Sequence, residues 1–144
     1  MKRFALCLIA LPLLAIAQGE SPIEQRQELM EQTRDALKPL IGMTRGQVDF
    51  NADTVRESLE VFANTANEAP NYFPVGSETG FETEARATVW TDREGFDMAF
   101  MRFAAAVEEA QDANIDSLET MEPELQKILK TCKGCHDDYR VEDD

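Results

Sequence analysis

Four stretches of this chain repeat apolar side chains every three to four residues, and that period most constrains what it can fold into. Ile23, Met30, Leu37 and Ile41 recur at helical spacing, with Leu29, Thr33 and Leu40 beside them. Val55, Leu59, Phe62 and Ala66 share a face in the second stretch. Phe96, Phe100, Phe103, Val107 and Ala110 do so in the third, and Leu118, Met121, Leu125, Ile128, Cys132, His136 and Tyr139 in the fourth. No stretch alternates at period two, so the expected class is all-α. Four amphipathic helices with short connections near 43–51 and 112–116 predict an antiparallel four-helix bundle.

Punctuation residues set the expected boundaries. Ser21-Pro22-Ile23-Glu24 reads as an N-cap, a proline at the first helical position and a capping-box glutamate. Gly42 is the expected stop of the first helix. The second is expected to begin near Asn51 or Asp53 and to halt at Ala69-Pro70, and Thr91-Asp92-Arg93-Glu94 reads as another capping box. Pro123, inside the fourth stretch, predicts either a kink or the true start of that helix. Residues 70–90, with Pro70, Pro74, Gly76 and Gly80, are too irregular for helix yet too aromatic for a plain linker. They are expected to cover an open face of the bundle or a ligand.

The 144 residues suit one domain, and 14 basic against 28 acidic side chains leave a formal charge of −14. That balance counts against nucleic acid or an anionic membrane as partner. Lys2 and Arg3 precede an apolar run from Phe4 to Ile16 that ends in Ala15-Ile16-Ala17. This pattern predicts a secretory signal peptide over residues 1–17 and a mature domain over 18–144, with no membrane anchor after processing. Cleavage would remove Cys7 together with Lys2 and Arg3, making the mature chain more acidic still. Export would place the remaining cysteines in an oxidising compartment, the periplasm.

Those cysteines stand in Cys132-Lys133-Gly134-Cys135-His136, beside the only histidine. Cys-x-x-Cys-His is the attachment motif of c-type haem. Cysteines three apart lie on one helix face, spaced to reach two vinyl groups on one porphyrin edge as thioethers. The next residue stays on that face and offers its imidazole to iron. A zinc site would want two such pairs, or help from Asp137 or Asp138. A thioredoxin-like pair needs a βαβ context that is missing. A plain disulfide in a non-haem helical interaction protein would leave His136 without a role. No nucleophile–base pair is visible, so enzyme activity is not expected.

The four-helix pattern with Cys-Lys-Gly-Cys-His-Asp-Asp-Tyr-Arg near its C-terminus resembles class II cytochromes c, the cytochrome c′ family. The resemblance implies one covalent haem c held by Cys132 and Cys135, with His136 as proximal ligand. It also implies that Arg26 approaches a haem propionate, that Met30 stands over the open face of the iron, and that Arg140 lies beside the proximal imidazole. The plain alternatives are a core methionine at Met30 and a solvated Arg26 paired with Glu24 or Glu28. Met43, Met98, Met101 and Met121 are other thioethers, and Trp90 and Phe96 are expected to pack near the macrocycle.

Met30 decides between two expected functions. Bound to iron, it gives a closed His/Met site suited to electron transfer, the leading expectation. Packed above the iron, it leaves a five-coordinate site that takes NO or CO in an apolar pocket. The resemblance further implies a homodimer packed through the first two helices. The net charge favours redox partners with a basic surface.

Overall fold

The computed structural model describes residues 20–141. The signal-peptide reading of residues 1–17 and Cys7 therefore lies outside the described residues. The four expected long helices are present: α1 (Pro22–Thr44), α2 (Ala52–Glu68), α4 (Arg93–Asp112) and α5 (Leu118–Tyr139). A single helical turn, α3 (Thr88–Thr91), precedes α4, and a 3₁₀ turn (Ala69–Tyr72) follows α2.

Local chemistry accounts for the ends. Ser21 and Glu24 form the expected reciprocal capping box at α1. Gly42 does not end this helix. It is buried inside it, where a side chain would press on Val48. The stop is Gly46, at φ +66°, a left-handed value that costs glycine little. Gly46 N–H donates to Met43 C=O at 3.0 Å and Gln47 N–H to Gly42 C=O at 2.9 Å, the two bonds of a Schellman ending. Asn51 caps α2 through Thr54 N–H.

At α4 the expected capping box is displaced by one residue. Thr91 belongs to α3, and Asp92 is the N-cap, accepting from Gly95 N–H. Pro123 neither opens nor ends its helix. Ser117 caps α5 with Thr120, and the helix continues through the proline, which forgoes one backbone bond.

α1 packs on α2, α2 on α4 and α4 on α5, whereas α1 and α5 make little contact. At one end of the bundle the seam between α1 and α5 is closed by Leu40, Leu59, Met121, Leu125 and Ile128, all nearly free of solvent exposure. At the other end it opens. The Ser58 hydroxyl bonds to the Ala36 carbonyl across α1 and α2 at 2.9 Å, a buried bond that keeps these helices in register.

The segment after α2 holds the open end together. Arg86 N–H donates to Tyr139 C=O at 2.9 Å, the Arg86 side chain to Asp137 C=O at 2.9 Å and Thr88 Oγ1 to Asp138 C=O at 2.9 Å. These three carbonyls close α5 and have no partner within the helix, so residues 86–88 act as its C-terminal cap. An isolated antiparallel bridge pairs Ala85 with Arg140 beside them. The Tyr139 hydroxyl also donates to the Asp92 carboxylate at 2.9 Å, tying the end of α5 to the start of α4. Gly95 is needed there, because any side chain would strike both Asp92 and Tyr139. The last turns of α5 are thus fixed from two sides.

Candidate functional site

The open end of the α1–α5 seam is a cavity of about 670 Å³, within the usual range for ligand sites. α1 contributes Arg26, Met30, Thr33 and Leu37, and α5 contributes Cys132, Cys135, His136 and Tyr139. The floor is aromatic: Phe96 of α4 meets Phe73, Phe100 and Tyr139 edge-on at centroid distances of 4.8, 5.2 and 5.4 Å. Each such contact adds to the burial of its rings and stiffens the wall.

The sequence-predicted residues converge here. Cys132 and Cys135 are half-buried free thiols on the α5 wall, and His136 follows them into the same cavity. Burial pushes both thiol pKa values up, and Cys135, with Cys132 beside it, is raised to about 11. A redox-active pair needs the opposite shift, usually from a helix N-terminus. This pair sits at the C-terminal end of α5, where the helix dipole adds no help to a thiolate. The His136 pKa is pushed below its ordinary value, first by desolvation against the cavity and then by Arg140. Neutral imidazole is the form that binds metal. Among the described residues no three His, Cys, Asp or Glu side chains gather as a group that could hold a metal ion.

Met30 lines the α1 wall of the cavity. Met43 and Met121 are sealed into the core, while Met98 and Met101 are exposed on α4. Met30 is thus the methionine that shares a cavity with His136 among the described residues. Next to it, Thr33 Oγ1 donates to Leu29 C=O at 2.9 Å and stands 2.8 Å from Thr65 Oγ1. Each hydroxyl proton of this pair has an acceptor within the wall. Thr65 escaped the sequence reading. Ser58 and Thr65, seven residues apart on the flank of the α2 stripe, were the signal for a polar seam against α1.

Arg26 lines the cavity but is not the solvated charge of the plain alternative. It is 4% exposed, and its guanidinium donates to Tyr72 C=O (3.0 Å), Ser77 Oγ (2.9 Å), Ser77 C=O (2.8 Å) and Thr83 Oγ1 (2.6 Å). It also lies over the Phe73 ring, 4.6 Å from the centroid. Every one of these partners is neutral. Burial lowers its pKa, with Glu78 opposing at longer range. A buried cation at a cavity wall with no carboxylate bonded to it fits a bound group that brings its own carboxylates. Four of its five N–H groups hold the loop, which leaves Nε to meet such a group.

Arg140 lies on the rim beside His136, with its Nε 3.7 Å from the Glu84 carboxylate. Phe96 lines the cavity as expected. Trp90 does not. Its indole N–H donates to Pro74 C=O at 3.1 Å, and its ring packs against Phe73 from behind. Its ring also lies 5.8 Å from the Arg26 guanidinium, so Trp90 and Arg26 brace the loop together.

A cavity with two thiols and an imidazole on one helix face, an aromatic floor and a buried unpaired cation fits a covalently held haem. Comparison with known proteins agrees. A family model described as Cytochrome C′ matches residues 21–140. A cytochrome c′ of Rhodopseudomonas palustris is 35% identical, with 88% of this chain and 86% of that relative covered. A cytochrome c-556 of Agrobacterium fabrum is 32% identical over 87% of this chain and 83% of the relative. The solved structure of cytochrome c′ from Rhodopseudomonas palustris superposes with a TM-score of 0.83 at 32% identity, over 88% of this chain and all of that one.

Proposed function

This chain belongs to the cytochrome c′ family, whose members carry a covalently attached c-type haem, and from that premise we propose that it is an exported, periplasmic electron-transfer protein with Met30 as the sixth ligand. Cys132 and Cys135 would hold the haem by thioethers and His136 would bind its iron from the α5 side. When bound, the haem supplies a one-electron couple. The chain's part is to fix the ligands, exclude water and set the charge around them.

The observation that carries this reading is the position of Met30, on the α1 wall of the cavity whose α5 wall bears His136. Thioether ligation raises the potential and closes the coordination sphere. The capped end of α5 holds His136 in place, and the Thr33–Thr65 pair ties the helix bearing Met30 to α2. Two anchored walls suit a site that changes little between oxidation states. Arg26 and Arg140 would offset haem carboxylates at the rim. Export, the absence of a membrane-crossing helix among the described residues and a homodimer through α1 and α2 complete the proposal. No catalytic activity is proposed.

A second reading is favoured by the Thr33–Thr65 pair. With both hydroxyl protons used within the wall, a diatomic ligand beside Met30 would find no donor from this pair, which suits NO or CO better than O₂. Met30→Ala separates the readings. If Met30 is a ligand, the variant turns from low to high spin and gains CO binding. If Met30 only packs, the wild type is already high-spin and binds CO, and the variant differs little.

A further inference from the structure

The charge around the two cysteines runs against the charge of the chain. Residues 98–107 of α4 and 125–136 of α5 contain Arg102, Lys127, Lys130 and Lys133 and no carboxylate at all, in a sequence with 28 acidic residues. These stretches are neighbours. The Asp92–Tyr139 hydrogen bond and the Lys127–Glu109 ion pair set the antiparallel register of α4 and α5. Between those links, Met98–Arg102 runs beside Thr131–Cys135, and Arg102 is close enough for its charge to act on Cys135.

The outer surface of this region is also apolar at its centre. Met98 and Met101, one helical turn apart, are 49% and 69% exposed. Gly134, between the cysteines, has nothing within 4 Å of where a side chain would begin. Lys127 is paired with Glu109 and Glu124, and Lys133 with Asp137. Arg102 and Lys130 have no ion-pair partner among the described residues. Glu94, Asp97 and Glu108 flank this stretch on α4, and Asp137 and Asp138 follow it on α5, with Asp138 also close enough to act on Cys135. Methionine at the centre and cations around it are the composition of an adaptable docking surface.

We propose that the face formed by Met98, Met101, Arg102 and Lys130 is where electrons enter and leave, and that its partner is a redox protein presenting carboxylates around an apolar patch. This rests on the electron-transfer reading above. It reverses the partner expected from net charge alone, because steering at contact follows the local field once more distant charges are screened. The face lies over the helix turn that bears both cysteines, so a docked partner would stand beside the attached edge of the haem.

The test uses the reduced holoprotein and hexacyanoferrate(III), a small anionic acceptor, mixed in a stopped-flow instrument. Each protein gives up one electron and each acceptor becomes hexacyanoferrate(II). A local cationic face predicts a rate that falls as ionic strength rises, whereas the net charge of the chain predicts one that rises. The Arg102→Glu/Lys130→Glu variant is expected to be about tenfold slower at low salt. Arg45→Glu, at the far end of α1, should match the wild type. Reduction potentials measured on each variant separate steering from driving force.

A rate that rises with salt and ignores the Arg102→Glu/Lys130→Glu change would overturn the face while leaving fast electron exchange intact. Slow exchange at every salt, in a reduced protein that binds CO, would overturn the electron-transfer reading and the face with it. Sedimentation of Met101→Glu addresses the remaining occupant. If that change alone converts a dimer to a monomer, the face belongs to a second copy of the chain and the proposal fails.

Discussion

Replacing both Cys132 and Cys135 with alanine is expected to abolish covalent haem, so that no haem remains with the chain on a denaturing gel. The two thiols are the cysteines of the described chain, they lie one helical turn apart, and both face the cavity that also holds His136. Each single replacement leaves one thioether and is expected to retain the stain at reduced yield. The geometry explains why the double change is decisive. Among the described residues no other thiol lines the cavity, and the non-covalent contacts there, mostly aromatic, do not survive denaturation. Haem that stays with the doubly substituted chain through denaturing electrophoresis would contradict this assignment.

Arg26→Leu is expected to cost about 3 kcal/mol and to lower the unfolding temperature of the holoprotein by about 10 °C. The change removes four hydrogen bonds from a charged donor and strands the Tyr72 and Ser77 carbonyls, which the loop turns inward. Loss of a buried, unpaired charge offsets part of this. Arg26→Lys should recover little, because one ammonium cannot replace a planar fork that reaches Tyr72, Ser77 and Thr83 at once. A loss below about 0.5 kcal/mol would mean that the loop is held by Trp90 and by Arg93, whose guanidinium donates to Phe73 C=O at 3.1 Å and Pro70 C=O at 3.3 Å.

How much of this was legible beforehand depends on the reach of each interaction. The four long helices follow from side-chain period, and the motif at 132–136 from residue types at fixed spacing. Both are local signals. Gly42 and Gly46 differ only in which one the helix reaches in a left-handed conformation, and Gly42 proved to sit where Val48 packs against it. The displaced cap at Asp92 arises because α3 claims Thr91 for its own turn. Neither distinction is visible in composition.

Arg26 shows the same limit at the site. The family resemblance implies a place for it beside a haem propionate, but its partners lie 46 to 57 residues away in an irregular loop. Nothing nearby in sequence marks Ser77 or Thr83 as acceptors. Aromaticity alone makes Trp90 a candidate neighbour of the macrocycle, while the Pro74 carbonyl that orients it is likewise remote in sequence. Net charge is a coarse guide in a related way. It averages a carboxylate-rich chain over a stretch around the cysteines that carries none, and only the pairing of α4 with α5 brings that stretch together.

On the reading proposed above, one cavity would hold a haem with His136 and Met30 as its iron ligands and pass single electrons. An absorption spectrum of the holoprotein, oxidised and reduced, with and without CO, tests it most directly. Ligation by Met30 predicts sharp low-spin bands in the reduced state that CO leaves unchanged. A broad high-spin spectrum that CO converts to a new one would contradict it, because the sixth position would then be open.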